Sequence, residues 1–229
     1  MKVKIVILFL FVHILSYSQL LQWNTFGNTG LETTELSVTN NVNLSSSTLN
    51  LTGSVVAPAG NLNRFGGNNW AIGALSTSNY IQFTVTPNSG FSFTPTSFVF
   101  SWDRSASGPS NVALRSSVDG YVADLGTVAV AASLNTGYSI SIAGLNNLTT
   151  ATTFRLYGYG ATGATGTGGF DCGLSSYNVI LNGTTASTAQ PEMNVVGNGN
   201  NILDNDLLPS GADHTDFGAS LVGVSFART

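Results

Sequence analysis

In "NYIQFTVT", Ile81, Phe83 and Val85 alternate with Tyr80, Gln82 and Thr84. Successive side chains of a strand point to opposite sides, so this period of two gathers the apolar groups on one face. The spacing recurs in "SFVFSWDR" (Phe98, Phe100, Trp102), "YSISIAG" (Ile140, Ile142), "TFRLYGY" (Phe154, Leu156) and "YNVILNG" (Tyr177, Val179, Leu181). Further runs of strand character lie in "LLQWNTF", "ELSVT", "TLNLTGSVV", "NVALRSS" and "LGTVAVA", and nothing beyond residue 18 has a helical period. About ten short strands with turn-rich loops between them predict an all-β chain. One apolar face per strand predicts an antiparallel β-sandwich, jelly-roll or Ig-like, with two sheets packed face to face. Two long loops interrupt the pattern: Ala57 to Ser78, with Arg64 and Trp70, and the Gly-rich Gly160 to Gly173, expected to be mobile.

The start of the chain has a different pattern. Lys2 and Lys4 precede an apolar run, Ile5 to Leu15, which is too short to span a bilayer. "SYS" then places small residues at the −3 and −1 positions before Gln19. Residues 1–18 therefore read as a secretory signal peptide, cleaved after Ser18. The mature chain has no other stretch apolar enough to cross a membrane, and the expected location is secreted or at the cell surface.

Removing that segment takes away both lysines. Five arginines remain against eleven acidic residues, a net charge of −6. Nucleic-acid binding needs cations to displace counterions from phosphates, so this balance argues against it and against an anionic membrane surface. Cys172 is the single cysteine, which rules out an intrachain disulfide. His214 is the one mature histidine, far from Cys172 in sequence, which argues against Cys-His or Ser-His nucleophilic chemistry and against a zinc site. The expectation is a non-catalytic chain with no cofactor.

"TTASTAQPE", around residues 185–191, has linker composition. It divides a sandwich at 19–184 from a segment at 192–229 that is too short to bury a core alone.

Charge is concentrated in "SWDRSASGPSNVALRSSVDG". Trp102 has core parity, so Asp103 faces outward, and Arg115 opposes Val112 and Leu114. If these two strands pair as a hairpin, Asp103 and Arg115 meet on the outer face. Asp119 and Gly120 fit a tight turn, in which the carboxylate bonds local backbone and glycine takes positive φ. Asp103, Arg104, Arg115 and Asp119 are thus read as a structural charge cluster. Glycoside hydrolysis would need two carboxylates converging on a cleft, and these sit beside arginines or in a turn. The outward residues Tyr80, Gln82, Arg115, Arg155, Tyr157 and Tyr159 suggest a second use, joined by Arg64 and Trp70 from the long loop. Flat rings beside hydrogen-bonding groups suit sugars. Against this, tyrosines are also ordinary cross-strand partners in sheets.

"FTPTSFVFSWDRSASGPSNVALRSSVDGYVADLGT", with "NRFGGNNW" before it and "TFRLYGYGATGATGTGGFD" after it, resembles a sandwich module. That module recurs in secreted, multidomain proteins of Bacteroidetes-type bacteria, and the likeness covers most of residues 20 to 184. "PEMNVVGNGNNILDNDLLPSGADHTDFGASLVGVSFART" resembles the opening of an Ig-like repeat of the choice-of-anchor D type, related to the ASPM/SPD-2/Hydin group. Such repeats normally continue for several more strands, so the resemblance implies a fragment or truncated product. It also implies that Asp204, Asp206, Asp213 and Asp216 are turn residues. Their spacing lacks the pattern of an EF-hand calcium loop. The combined expectation is a secreted, non-catalytic module for binding or adhesion, with glycan or surface proteins as partners. The alternatives are a structural stalk, or an accessory domain of an extracellular nuclease or glycan-degrading enzyme whose catalytic part lies beyond residue 229.

Overall fold

Phe98, Phe100 and Trp102 sit on the longest strand, and all three are buried. The computed structural model describes residues 18–52, 57–132, 136–172, 179–189, 195–197, 200–202 and 212. The chain divides into two units, Met1–Thr188 and Ala189–Thr229. The first is all-β. Its strands are β1 (Ser18–Trp23), β2 (Thr34–Leu36), β3 (Thr39–Asn40), β4 (Thr48–Leu51), β5 (Ala57–Pro58), β6 (Arg64–Asn68) and β7 (Tyr80–Val85). They continue as β8 (Phe91–Arg104), β9 (Asn111–Ser116), β10 (Gly126–Ala129), β11 (Thr136–Ser141), β12 (Thr152–Tyr159), β13 (Gly168–Asp171) and β14 (Val179–Ser187).

These strands form two antiparallel sheets. One runs β3-β1-β14-β8-β13-β6-β5, with β11 on the other edge of β8, and the second runs β10-β9-β12-β7-β4-β2. The sandwich expectation is met. β7, β8 and β9 alternate between the sheets, as do β11, β12 and β13. β8 and β9 are therefore not a hairpin, and the proposed meeting of Asp103 with Arg115 does not occur.

The alternation read from the sequence becomes the core. Phe83 of one sheet stacks on Phe98 of the other at 5.3 Å between ring centroids, and on its own-sheet neighbour Phe154 at 5.3 Å. Trp102, Phe100 and Phe170 make edge-on contacts with one another. Each such ring, fully buried, contributes about 1.5–3 kcal/mol from its removal from water. Pro95 lies inside β8, where a proline cannot donate to the ladder. The strand accommodates it at a register shift between Asn182 and Gly183 of β14, where Thr96 is skipped.

Both long loops hold strands. The first contains β5 and β6, and the glycine-rich second contains β13, which pairs with β6 and β8. Gly66 and Gly169 are direct cross-strand partners. A Cβ on Gly66 would lie 2.4 Å from the Gly169 Cα, so the glycines are what lets the two strands close. Thr185–Ser187, read as the start of a linker, belong to β14 and pair with Phe91–Phe93 of β8.

In the second unit, β15 (Val195–Gly197) and β16 (Asn200–Ile202) form an antiparallel pair. The first carries part of the expected strand "EMNVV". The signal segment 1–17, Tyr177, Asp204, Asp206, Asp213, His214, Asp216 and the expected strand "LVGVSFART" lie outside the described residues. Among the described residues, no helix is long and apolar enough to cross a membrane.

Candidate functional site

The register of β12 against β7 and β9 builds one continuous outer face. Tyr157 lies opposite Tyr80 on one side and Ala113 on the other. Two residues along, Arg155 lies between Gln82 and Arg115, and Gln82 in turn opposes Asn50 of β4. The arginine at the centre is clamped. Its guanidinium carbon is 4.2 Å from the Tyr80 ring centroid and 3.8 Å from that of Tyr121. Tyr80 also meets Tyr157 edge-on at 5.3 Å, and Arg115 lies over the Tyr157 ring at 5.5 Å. Cation–π contacts of this kind contribute about 0.5–2 kcal/mol each, more as they are desolvated.

Tyr121 reaches this face because the loop after β9 turns sharply. Gly120 and Tyr121 both have positive φ, 72° and 65°. For an aromatic residue this backbone state is strained, and such strain is held only where surrounding bonds over-determine it. Here the Tyr121 amide donates to the Ser116 carbonyl at 2.9 Å, and the Arg115 guanidinium donates to the Tyr121 carbonyl at 3.0 Å. Asp119 accepts from the Ala123 amide at 2.8 Å and the Val122 amide at 3.3 Å. These backbone donors, Ala123 foremost, hold the Asp119 carboxyl below its ordinary pKa. Asp119 thus takes the turn role expected of it.

Arg115 donates to Asp124 Oδ1 at 2.5 Å. Arg155 has no carboxylate partner among the described residues. Its Nε is buried, as is the Tyr157 hydroxyl. Burial raises the Tyr157 phenol above its ordinary pKa, and Arg155 pulls the other way. Tyr157 has the outward parity expected, yet it is 0 % exposed, because Tyr80 and Arg115 cover its ring. It therefore supports the face from beneath instead of offering a free ring. Tyr159 ends the same strand, half-buried and opposite Asn111.

Two of the expected sugar-face residues lie elsewhere. Trp70 is 2 % exposed, packs edge-on against Trp102 at 5.7 Å, and donates from Nε1 to the Gly67 carbonyl at 2.8 Å. It is a core residue. Arg64 lies in the other sheet and forms ion pairs with Asp103 and, at 3.0 Å, with Asp171. So the carboxylate of Asp103 is neutralised from β6, not by Arg115. Arg104 donates to the carbonyls of Val130 at 2.8 Å, Ser105 at 3.1 Å and Ala106 at 3.2 Å. It pins the loop after β8 to the end of β10. The four charges read as one structural cluster are thus three separate devices.

Tyr121 and Asp124 were missed in the sequence. They follow the "DG" turn, where no alternation says which way a side chain points. The Cys172 thiol is buried, which raises its pKa, and it contacts the Asn63 carbonyl at 3.6 Å. Among the described residues, no three His, Cys, Asp or Glu side chains cluster as metal ligands would. No protein-family model matches the chain, and comparison with curated proteins gives no match.

Proposed function

We propose that the mature chain is an exported, non-catalytic binding module, and that the face around Tyr80, Tyr121 and Arg155 binds glycan. The observation that carries this reading is the clamped Arg155. A guanidinium packed over two half-buried tyrosine rings, on the outer face of a sheet, is a pre-organised polar-aromatic surface. Sugars offer apolar ring faces and hydroxyl edges, which match rings beside amides and guanidinium groups. Gln82 sits next in register and makes no side-chain hydrogen bond with the described residues, so its amide is open to a hydroxyl. The strained Tyr121 supports the same reading, since strain collects where a side chain is positioned for contact.

The reading as an exported chain rests on the basic start, the apolar run and "SYS". β1 begins at Ser18, so cleavage after Ser18 leaves Leu20, Leu21 and Trp23 in the core. The non-catalytic reading rests on how four of the described carboxylates are used. Asp103 and Asp171 share Arg64, Asp124 is paired with Arg115, and Asp119 closes a turn. The tail is proposed, on its resemblance, as part of a further Ig-like module.

The test is a glycan array probed with the mature chain, residues 19–229, beside a Tyr80→Ala, Tyr121→Ala double variant with a checked melting curve. Binding that the folded double variant loses by tenfold or more is the expected outcome. Equal binding by both proteins would move the site off this face.

A further inference from the structure

We propose that this face selects an anionic saccharide, with Arg155 receiving a sugar carboxylate; this rests on the glycan-binding reading above. The first argument is charge. Arg155 and Arg115 are direct cross-strand partners, and like charges in that position repel. Asp124 balances Arg115 at 2.5 Å, and among the described residues no carboxylate reaches Arg155. Among the described residues Arg155 thus holds its charge on this face without a carboxylate, in a chain whose mature sequence carries five arginines against eleven acidic residues. A neutral ligand would leave the Arg155 charge unpaired, whereas a carboxylate pairs with it.

The second argument is shape. The guanidinium carbon of Arg155 lies over the rings of both Tyr80 and Tyr121, 4.2 and 3.8 Å from their centroids. The N–H donors of a guanidinium all lie in its plane, along its rim. On that rim Nε is turned into the protein and buried, whereas neither terminal nitrogen is both buried and unpaired. The terminal nitrogens form a planar fork, and a planar carboxylate matches that fork with two parallel charge-assisted bonds. The clamp also fixes the guanidinium before binding, so little side-chain freedom is lost when the anion arrives.

The third argument is what surrounds the fork. Gln82 and Asn50 lie beside Arg155 in the same register row. Gln82 is a neutral amide suited to a hydroxyl, whereas Asn50 Nδ2 donates to the Thr48 carbonyl at 2.9 Å. One anion-binding group set among neutral sugar-binding groups describes a uronate-type residue within a chain of hydroxyl-rich sugars.

The experiment uses the mature chain, residues 19–229, and matched probes. Uronate-containing oligosaccharides are compared with the same oligosaccharides after methyl esterification, and sulfated neutral oligosaccharides form a further arm. The expected result is at least tenfold tighter binding to the free acids than to their esters, weakened by added salt. Arg155→Gln should abolish that ratio while Tyr80→Ala lowers affinity for acid and ester alike. Arg155→Lys keeps the charge but loses the fork, and should retain only part of the preference. Equal affinity for acid and ester would overturn the carboxylate assignment and leave glycan binding standing. A preference for sulfated probes without one for uronates would overturn it in favour of sulfate. Binding to none of the acids, their esters or the sulfated probes would overturn the assignment together with the glycan reading.

Discussion

Arg64 carries one positive charge against the carboxylates of Asp103 and Asp171, and its side chain is 11 % exposed. Asp103 Oδ1 is buried with no hydrogen-bond partner, so the guanidinium is the main group that offsets its desolvation. Removing one member of a buried ion pair costs more than the pair contributes, because it leaves bare charge behind. Arg64→Ala should therefore cost about 3 kcal/mol of stability in denaturant unfolding. Replacing Arg64, Asp103 and Asp171 together by Met, Asn and Asn should recover most of that. A fully stable single variant would show that the carboxylates are solvated without the arginine. This role was not readable from sequence. Arg64 stands in a glycine-rich run where no alternation assigns a face, and its partners are 39 and 107 residues away. Tyr80 and Arg155 were readable, because their parity in "NYIQFTVT" and "TFRLYGY" sets them opposite the core residues. Parity assigned Tyr157 the right face but not its burial, which depends on neighbours from two other strands.

Among the strands, period-two alternation identified those whose side chains alternate in size, such as β7, β8 and β12. β6 and β13 escaped it because "RFGG" and "GGFD" replace the alternating side chain with hydrogen. Gly158 in β12 carries the same lesson. It is in phase with Phe154 and Leu156, so its missing side chain faces inward, and the Trp70 indole fills that space. A glycine inside a strand pattern signals such a close approach. It could have signalled from sequence that a bulky group packs over β12, though not that the group is Trp70. A Cβ at Gly158 would lie 2.5 Å from the Trp70 ring. Gly158→Ala should thus destabilise the sandwich by about 1–3 kcal/mol through overpacking. Trp70→Leu should be destabilising alone, yet much less than additive with Gly158→Ala, since both act on one space. Strict additivity in the double-mutant cycle would mean that the tryptophan does not occupy this position in solution.

The extent of the independent folding unit is decided at the end of β14. Linker composition suggested that the sandwich closes at residue 184, since "TTAS" carries no apolar period. Its pairing says otherwise. Thr185, Ala186 and Ser187 pair with Phe93, Ser92 and Phe91 of β8, and the Thr188 amide donates to the Gly90 carbonyl at 2.9 Å. The Thr185 hydroxyl also accepts from Asn43 Nδ2 at 2.9 Å, which ties the segment following β3 to β14. A chain ending at Thr188 keeps all of these bonds, and one ending at Thr184 loses them and frees the start of β8, including the backbone flanking the buried Phe93. Residues 19–188 should then melt within a degree or two of residues 19–229. Residues 19–184 should melt several degrees lower, because each kcal/mol lost shifts the midpoint of a domain this size by about 2–4 °C. Amide exchange would check the same point residue by residue, with Thr185 and Ser187 protected to the level of β8. If the two truncated chains melt together, residues 185–188 add nothing to the sandwich and the folding boundary returns to residue 184.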